Sequence, residues 1–283
     1  MPLTLDLDFL GRRGVVATAA LRCDGGVVLV DPGPTSCLPA LTRALGAHGY
    51  TLDDVRALLL THIHLDHAGA TGSLVQRRPG LEVYVHERGA RHLTDPEKLL
   101  SSATRLYGAD MDRLWGGFLA VPDAASHPLA GGESLSVAGK RFEVAYTPGH
   151  AVHHVSYLDT AERTAYVGDT AGIAVGGYVL AATPPPDIDL ERWQVSLDAL
   201  DAWQPSSLFL THFGVIQDAR GHLSRYRDAL GRSAARARDA VRTGGDEPAL
   251  TEAWVQWLRQ DVRRAVSVEE AVALEAAAPF DQI

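Results

Sequence analysis

Apolar residues stand at every second position from Leu3 through Leu5 and Leu7 to Phe9, which predicts a half-buried strand over 3–9. A second strand is expected over 15–21. A third, Val27-Val28-Leu29-Val30, follows the Gly25-Gly26 turn and ends in Asp31-Pro32-Gly33. Leu38, Leu41 and Leu45 share one helical face, so a helix is expected from Ser36, as its cap, to about His48. Residues 56–61 form a short apolar run that reads as a buried strand. A helix is predicted from Gly72 to Arg78 and a strand over 81–85, with His86 at its end.

Residues 90–120 break this strand–helix rhythm. Leu99, Leu106, Tyr107, Trp115 and Phe118 make them a helical insert, read here as a wall of a substrate pocket. Strands are expected over 133–138 and 141–147, then over 155–158, 164–167 and 207–211. Pro184-Pro185-Pro186 imposes an extended connection, and Trp193, Leu197 and Leu200 mark a helix over 190–203. The last 70 residues are helical in pattern. Leu223, Leu230, Ala234, Ala237 and Val241 form one stripe, and Leu250, Trp254, Leu258 and Val262 a second. Ser267 and Glu270 read as a capping box for a short third helix.

Against this scaffold one stretch stands out. His62-Ile63-His64-Leu65-Asp66-His67 leaves the buried strand directly. Alternation along an extended backbone points His62 and His64 the same way, while Asp66 and His67 lie past the bend and face a second point nearby. Further metal-binding side chains stand where later strands stop: His150 after Thr147-Pro148-Gly149, Asp169 after Gly168, and His212 after Thr211. Strand ends are where layered α/β folds present their sites. Five imidazoles and two carboxylates suit two divalent ions, Zn2+ first and Mn2+ or Fe2+ next. Asp31 is read either as a turn cap or as a carboxylate supporting a ligand from behind.

Composition limits the alternatives. The 283 residues carry a net charge of −9 and only two cysteines, Cys23 and Cys37. An acidic chain with no basic face argues against nucleic acid. Two cysteines do not build a disulfide scaffold. No secretion signal or run long enough to cross a membrane is seen, so the expectation is a cytoplasmic protein with a small-molecule substrate and no membrane partner. Oligomeric state is left open.

The motif set resembles the metallo-β-lactamase superfamily over roughly residues 1–215. His62-Ile63-His64-Leu65-Asp66-His67 matches its HxHxDH motif, Pro148-Gly149-His150 its later histidine, Gly168-Asp169 its bridging aspartate and His212 its last histidine. The resemblance implies a mixed α/β fold, a four-layer αβ/βα sandwich over 1–215, with C-terminal helices over 216–283. It also implies that His62, His64 and His150 hold one metal, that Asp66, His67 and His212 hold the other, and that Asp169 bridges them.

The chemistry that follows is hydrolysis of an ester-type bond, a thioester or lactone, by a hydroxide shared between the metals, with Asp66 as the catalytic carboxylate. Glyoxalase II and the lactonases share the full ligand set. True β-lactamases of the superfamily typically lack the bridging aspartate. Lactonases commonly place a tyrosine soon after it, where this chain has Thr170-Ala171-Gly172-Ile173 and no tyrosine before Tyr178. The alternatives are a phosphoesterase and a mononuclear iron enzyme like the persulfide dioxygenases. Trp115, Phe118, Tyr178 and Phe213 are expected near the pocket, and His153 and His154 at a solvated strand start.

Overall fold

The computed structural model describes residues 1–175, 177–183, 187–268 and 271. Its first sheet orders β1 (Leu3–Asp6), β2 (Ala17–Cys23), β3 (Gly26–Val30), β4 (Val55–Leu59), β5 (Glu82–His86) and β6 (Ser126–Leu129) as 1-2-3-4-5-6. The first two pairings are antiparallel and the last three parallel. Helices α1 (Leu38–Ala47), α2 (Leu65–Ala68), α3 (Thr71–Arg77), α4 (Glu87–Thr94), α5 (Glu97–Tyr107) and α6 (Met111–Leu114) fill its connections.

The second sheet contains β7 (Ser134–Val137), β8 (Lys140–Tyr146), β9 (Val155–Asp159), β10 (Thr164–Tyr166), β13 (Ser207–Leu210) and β14 (Gly214–Ile216), in the order 14-13-10-9-8-7. A separate hairpin of β11 (Ile173–Val175) and β12 (Tyr178–Leu180) precedes α7 (Leu190–Ala202). Then β13 and β14 lead to α8 (Ala219–Thr243) and α9 (Glu247–Ala265).

Pleating explains why these runs are apolar on both sides. In β3, Val27 and Leu29 face the outer helices while Val28 and Val30 face the second sheet. In and just after β4, Leu58 and Leu60 face outward and Ala57 and Leu59 inward. The inter-sheet core is completed by Phe142, Tyr157, Tyr166 and Phe209. The outer face of the second sheet packs Leu158, Ala165, Leu208 and Leu210 against Trp193, Leu197, Leu200, Leu223 and Tyr226 of α7 and α8. Helix, sheet, sheet and helix thus stack as the expected four-layer α/β sandwich, with a helical C-terminal region.

Several local expectations are corrected. Ser36 does not cap α1; it lies in a 3-10 turn and its hydroxyl donates to the Leu114 carbonyl at 2.6 Å. The stripe on α8 stops half-way, because Ala237 is exposed and Val241 is 78% exposed. On α9 the buried face is Val255, Leu258 and Val262, with Leu250 and Trp254 only half-buried. Pro184–Pro186 and Glu270 lie outside the described residues. Among the described residues no helix is long and apolar enough to cross a membrane.

Candidate metal centre

The strand β4 runs into Thr61, and His62–His64 continue extended before the chain turns into α2. Asp66 and His67 are therefore carried by a helical turn while His62 and His64 are not. His150 follows β8, Asp169 follows β10 and His212 follows β13. Two glycines let these turns close. Gly168 has φ +46, and a Cβ there would stand 2.4 Å from Thr61 Oγ1. Gly149 has φ +130, and its Cβ would stand 2.5 Å from the Trp193 backbone.

All seven side chains meet at one rim of the two sheets. His62 Nε2 lies 2.9 Å from His64 Nδ1, which lies 3.0 Å from His150 Nε2. His67 Nε2 lies 3.5 Å from Asp66 Oδ2, which lies 3.2 Å from His212 Nε2. A tetrahedral ion with bonds of about 2.1 Å keeps its ligand atoms about 3.4 Å apart, so both triads are at the right scale. Asp169 divides its carboxylate between them. Its Oδ1 is 3.4 Å from His67 Nε2 and 3.6 Å from His212 Nε2, and its Oδ2 is 3.5 Å from His150 Nε2.

Each ring that presents Nε2 is tied down through Nδ1. His67 Nδ1 is 2.8 Å from Asp31 Oδ2, His150 Nδ1 is 3.0 Å from the Ala182 carbonyl, and His212 Nδ1 is 2.7 Å from the Val15 carbonyl. His62 Nδ1 is 3.1 Å from Thr61 Oγ1, whose hydroxyl donates to Asp31. These contacts leave an Nε2 lone pair aimed inward on each neutral ring. His67 Nε2 and Asp169 Oδ1 are buried with no hydrogen-bond partner, which is the signature of donor atoms shaped for a cation.

Electrostatics separates the two triads. Burial, reinforced by neighbouring imidazoles, holds His62 well below the ordinary histidine range and pushes His64 down to about 3. Burial alone would do the same to His67 and His212. The carboxylates of Asp66 and Asp169, joined for His67 by Asp31, outweigh it and raise both. Burial would raise Asp66 and Asp169, but His67 and His212 hold both carboxyls low.

A cavity of about 970 Å³ opens directly above the cluster. Leu99, Ala103, Leu106, Tyr107 and Trp115 line one side, so the 90–120 insert does form a pocket wall. Arg88 and Arg91 of α4 stand on another side, with Glu87 and Asp187 also at the rim.

Of the residues expected nearby, Asp31 is fully buried beneath the cluster, in a left-handed conformation with φ 51. Its carboxylate also accepts from Thr61 N–H, Thr61 Oγ1 and Thr211 Oγ1. Tyr178 and Phe213 are not at the site. The Tyr178 hydroxyl donates to Asp261 at 2.6 Å, because β12 is covered by α9. Phe213 packs on the inter-sheet core, and Phe118 packs beneath the helices on the other side of the first sheet. His86 caps α4, its Nδ1 accepting from Arg88 N–H. His153 and His154 are buried, not solvated. His154 bonds Thr147 Oγ1 at 2.9 Å, and His153 lines the cavity. Reading that pair from sequence missed how closely the start of β9 approaches the segment after β4, where Val155 N–H donates to the Thr61 carbonyl.

The sequence profile of the metallo-beta-lactamase superfamily matches residues 11–212. A metallo-beta-lactamase fold-containing protein of Sulfurisphaera tokodaii is 29% identical over 206 residues, 71% of this chain and 74% of that protein. A hydroxyacylglutathione hydrolase of Xanthomonas campestris is 32% identical over 63% of this chain, and the match spans only 55% of that enzyme. The crystal structure of a metallo-beta-lactamase family protein from Thermus thermophilus superposes with a TM-score of 0.65 at 25% identity, covering 100% of this chain and 89% of that one. With the profile spanning most of its length, this chain belongs to the metallo-β-lactamase superfamily.

Proposed function

We propose that the protein is a dinuclear metal-dependent hydrolase of an ester-type bond in a small molecule, a thioester before a lactone. The observation that carries this reading is the divided carboxylate of Asp169, one oxygen beside each of two triads. A mononuclear iron oxygenase would leave Asp66, His67 and His212 without a shared task, so the second triad disfavours that alternative. The hydroxyacylglutathione hydrolase relative favours thioesters among the candidate bonds.

His62, His64 and His150 are the candidate holders of one ion, Asp66, His67 and His212 of the other, with Asp169 between them. A pair of divalent ions, zinc first, supplies a water of lowered pKa and a Lewis acid for the scissile carbonyl. The chain supplies the rest. Asp66 is the ligand carboxylate most open to the cavity, its side chain 22% exposed against 7% for Asp169. Its oxygen is placed to orient the attacking water, take its proton and pass that proton to the leaving group. Leu99, Leu106 and Trp115 exclude bulk water and offer apolar surface to an acyl chain.

Metal analysis after reconstitution with zinc or manganese tests the reading, together with a screen of thioester, lactone and phosphodiester substrates. About two equivalents with thioester turnover support it. A single tightly held iron with oxygen consumption overturns it.

A further inference from the structure

Eight histidines are buried among the described residues: His62, His67, His86, His150, His153, His154, His212 and His222. Seven of them make a hydrogen bond that explains their orientation. His153 is the exception. Its Nδ1 is enclosed and has no partner. A leucine would fill this volume without stripping water from a ring nitrogen, so packing alone does not account for an imidazole here.

The position of the ring supplies a reason. His153 lines the cavity above the triads, in company with His64, Asp66, Asp169 and His212. It stacks on His62 at 6.1 Å between centroids and meets His64 edge-on at 5.6 Å. Gly89 of α4 makes the room, since a Cβ there would press on Ile63 and touch His153 Cβ at 3.4 Å. With Nδ1 sealed against protein, Nε2 is the nitrogen that the cavity reaches. An imidazole in water carries at least one N–H at ordinary pH. Sealed N–H groups without acceptors are rare in folded proteins, which places that proton on Nε2.

We infer that His153 is a substrate-positioning residue whose Nε2–H donates a hydrogen bond to the acyl oxygen of the bound ester. This rests on the hydrolase reading above and adds a donor supplied by the chain itself. The negative charge that gathers on that oxygen during attack strengthens the bond, so its effect falls on turnover more than on binding.

Two measurements test it on the metal-loaded full chain. Nitrogen-15 NMR of histidine-labelled protein reads the tautomer, the His153 signals being assigned by their loss in His153→Leu. An unprotonated Nδ1 with a protonated Nε2 is expected, and an Nδ1–H tautomer overturns the inference. Kinetics on the best ester from the screen compares His153→Leu with His153→Gln, which keeps a donor at similar reach. The leucine variant should lose about 10²-fold in kcat with KM within a few-fold and metal content unchanged, while the glutamine variant recovers most of the loss. Equal turnover by wild type and His153→Leu overturns the donor role and leaves the hydrolase reading standing. No turnover of any ester by the wild type overturns both.

Discussion

Asp31 Oδ2 lies 2.8 Å from His67 Nδ1, and both side chains are sealed from solvent. The carboxylate also gathers Thr61 and Thr211, so one buried charge ties the ends of β3, β4 and β13 to one ligand candidate. Asp31→Asn keeps the shape and removes the charge. It should weaken metal binding about 10–100-fold, the usual effect of losing a ligand's supporting partner. The loss should be greater for the second equivalent than the first, as read by competitive chelator titration.

Asp66→Asn should lower kcat by about 10²–10⁴-fold, the range for a lost acid–base group. One tightly bound equivalent should survive on His62, His64 and His150. Steady-state kinetics beside metal analysis checks both parts, and near-normal turnover would remove Asp66 from its assigned role.

Trp115 stacks on Phe9 at 5.6 Å and meets Tyr107 at 5.1 Å, holding the insert against the N-terminal segment. Trp115→Ala should raise KM for long-chain acyl substrates about 10-fold over short-chain ones, a few methylenes' worth of apolar contact. A uniform change across chain lengths would place the acyl group elsewhere.

Lys140 Nζ donates to Asp159 Oδ2 at 2.7 Å, with the carboxylate buried. Burial alone would raise this carboxyl; Lys140 and the Ala161 and Glu162 N–H groups outweigh it and lower it. A carboxyl lowered on folding contributes stability above its unfolded pKa and loses it as pH falls through the folded value. Wild-type stability should therefore drop below about pH 4. Asp159→Asn should be less stable at pH 7 by about 1–2 kcal/mol and flatter in acid, as urea midpoints at several pH values will show.

The convergence of the seven candidate ligands was the most readable part of the chain, because His62–His67 is local and the other three residues each follow an apolar run. The layering was implied by the resemblance, and strands such as 27–30 and 57–60, apolar on both faces, agree with it. Some of the shortest elements were not readable. β6 carries Pro128 and polar Ser126 and His127, tolerated only because it is an edge strand. The β11–β12 hairpin and β14 are too short for any period to show. Tyr178 was misplaced because the chain folds its hydroxyl under α9, a contact 83 positions away. Tyr178→Phe should accordingly loosen α9 by about 1 kcal/mol without altering metal content, as hydrogen exchange of residues 255–262 will report.

Each triad takes two donors from the first sheet's half of the chain and one from the second, and Asp169 belongs to the second. Neither half owns a complete chelator. A bound ion is then a rivet through both layers, and prising the sandwich apart by an ångström would spoil both seats together. Phe142, Tyr157, Tyr166 and Phe209, none of them in the cluster itself, would thereby set how tightly bound cations are gripped, and softening that interior should be felt first as leakage of metal.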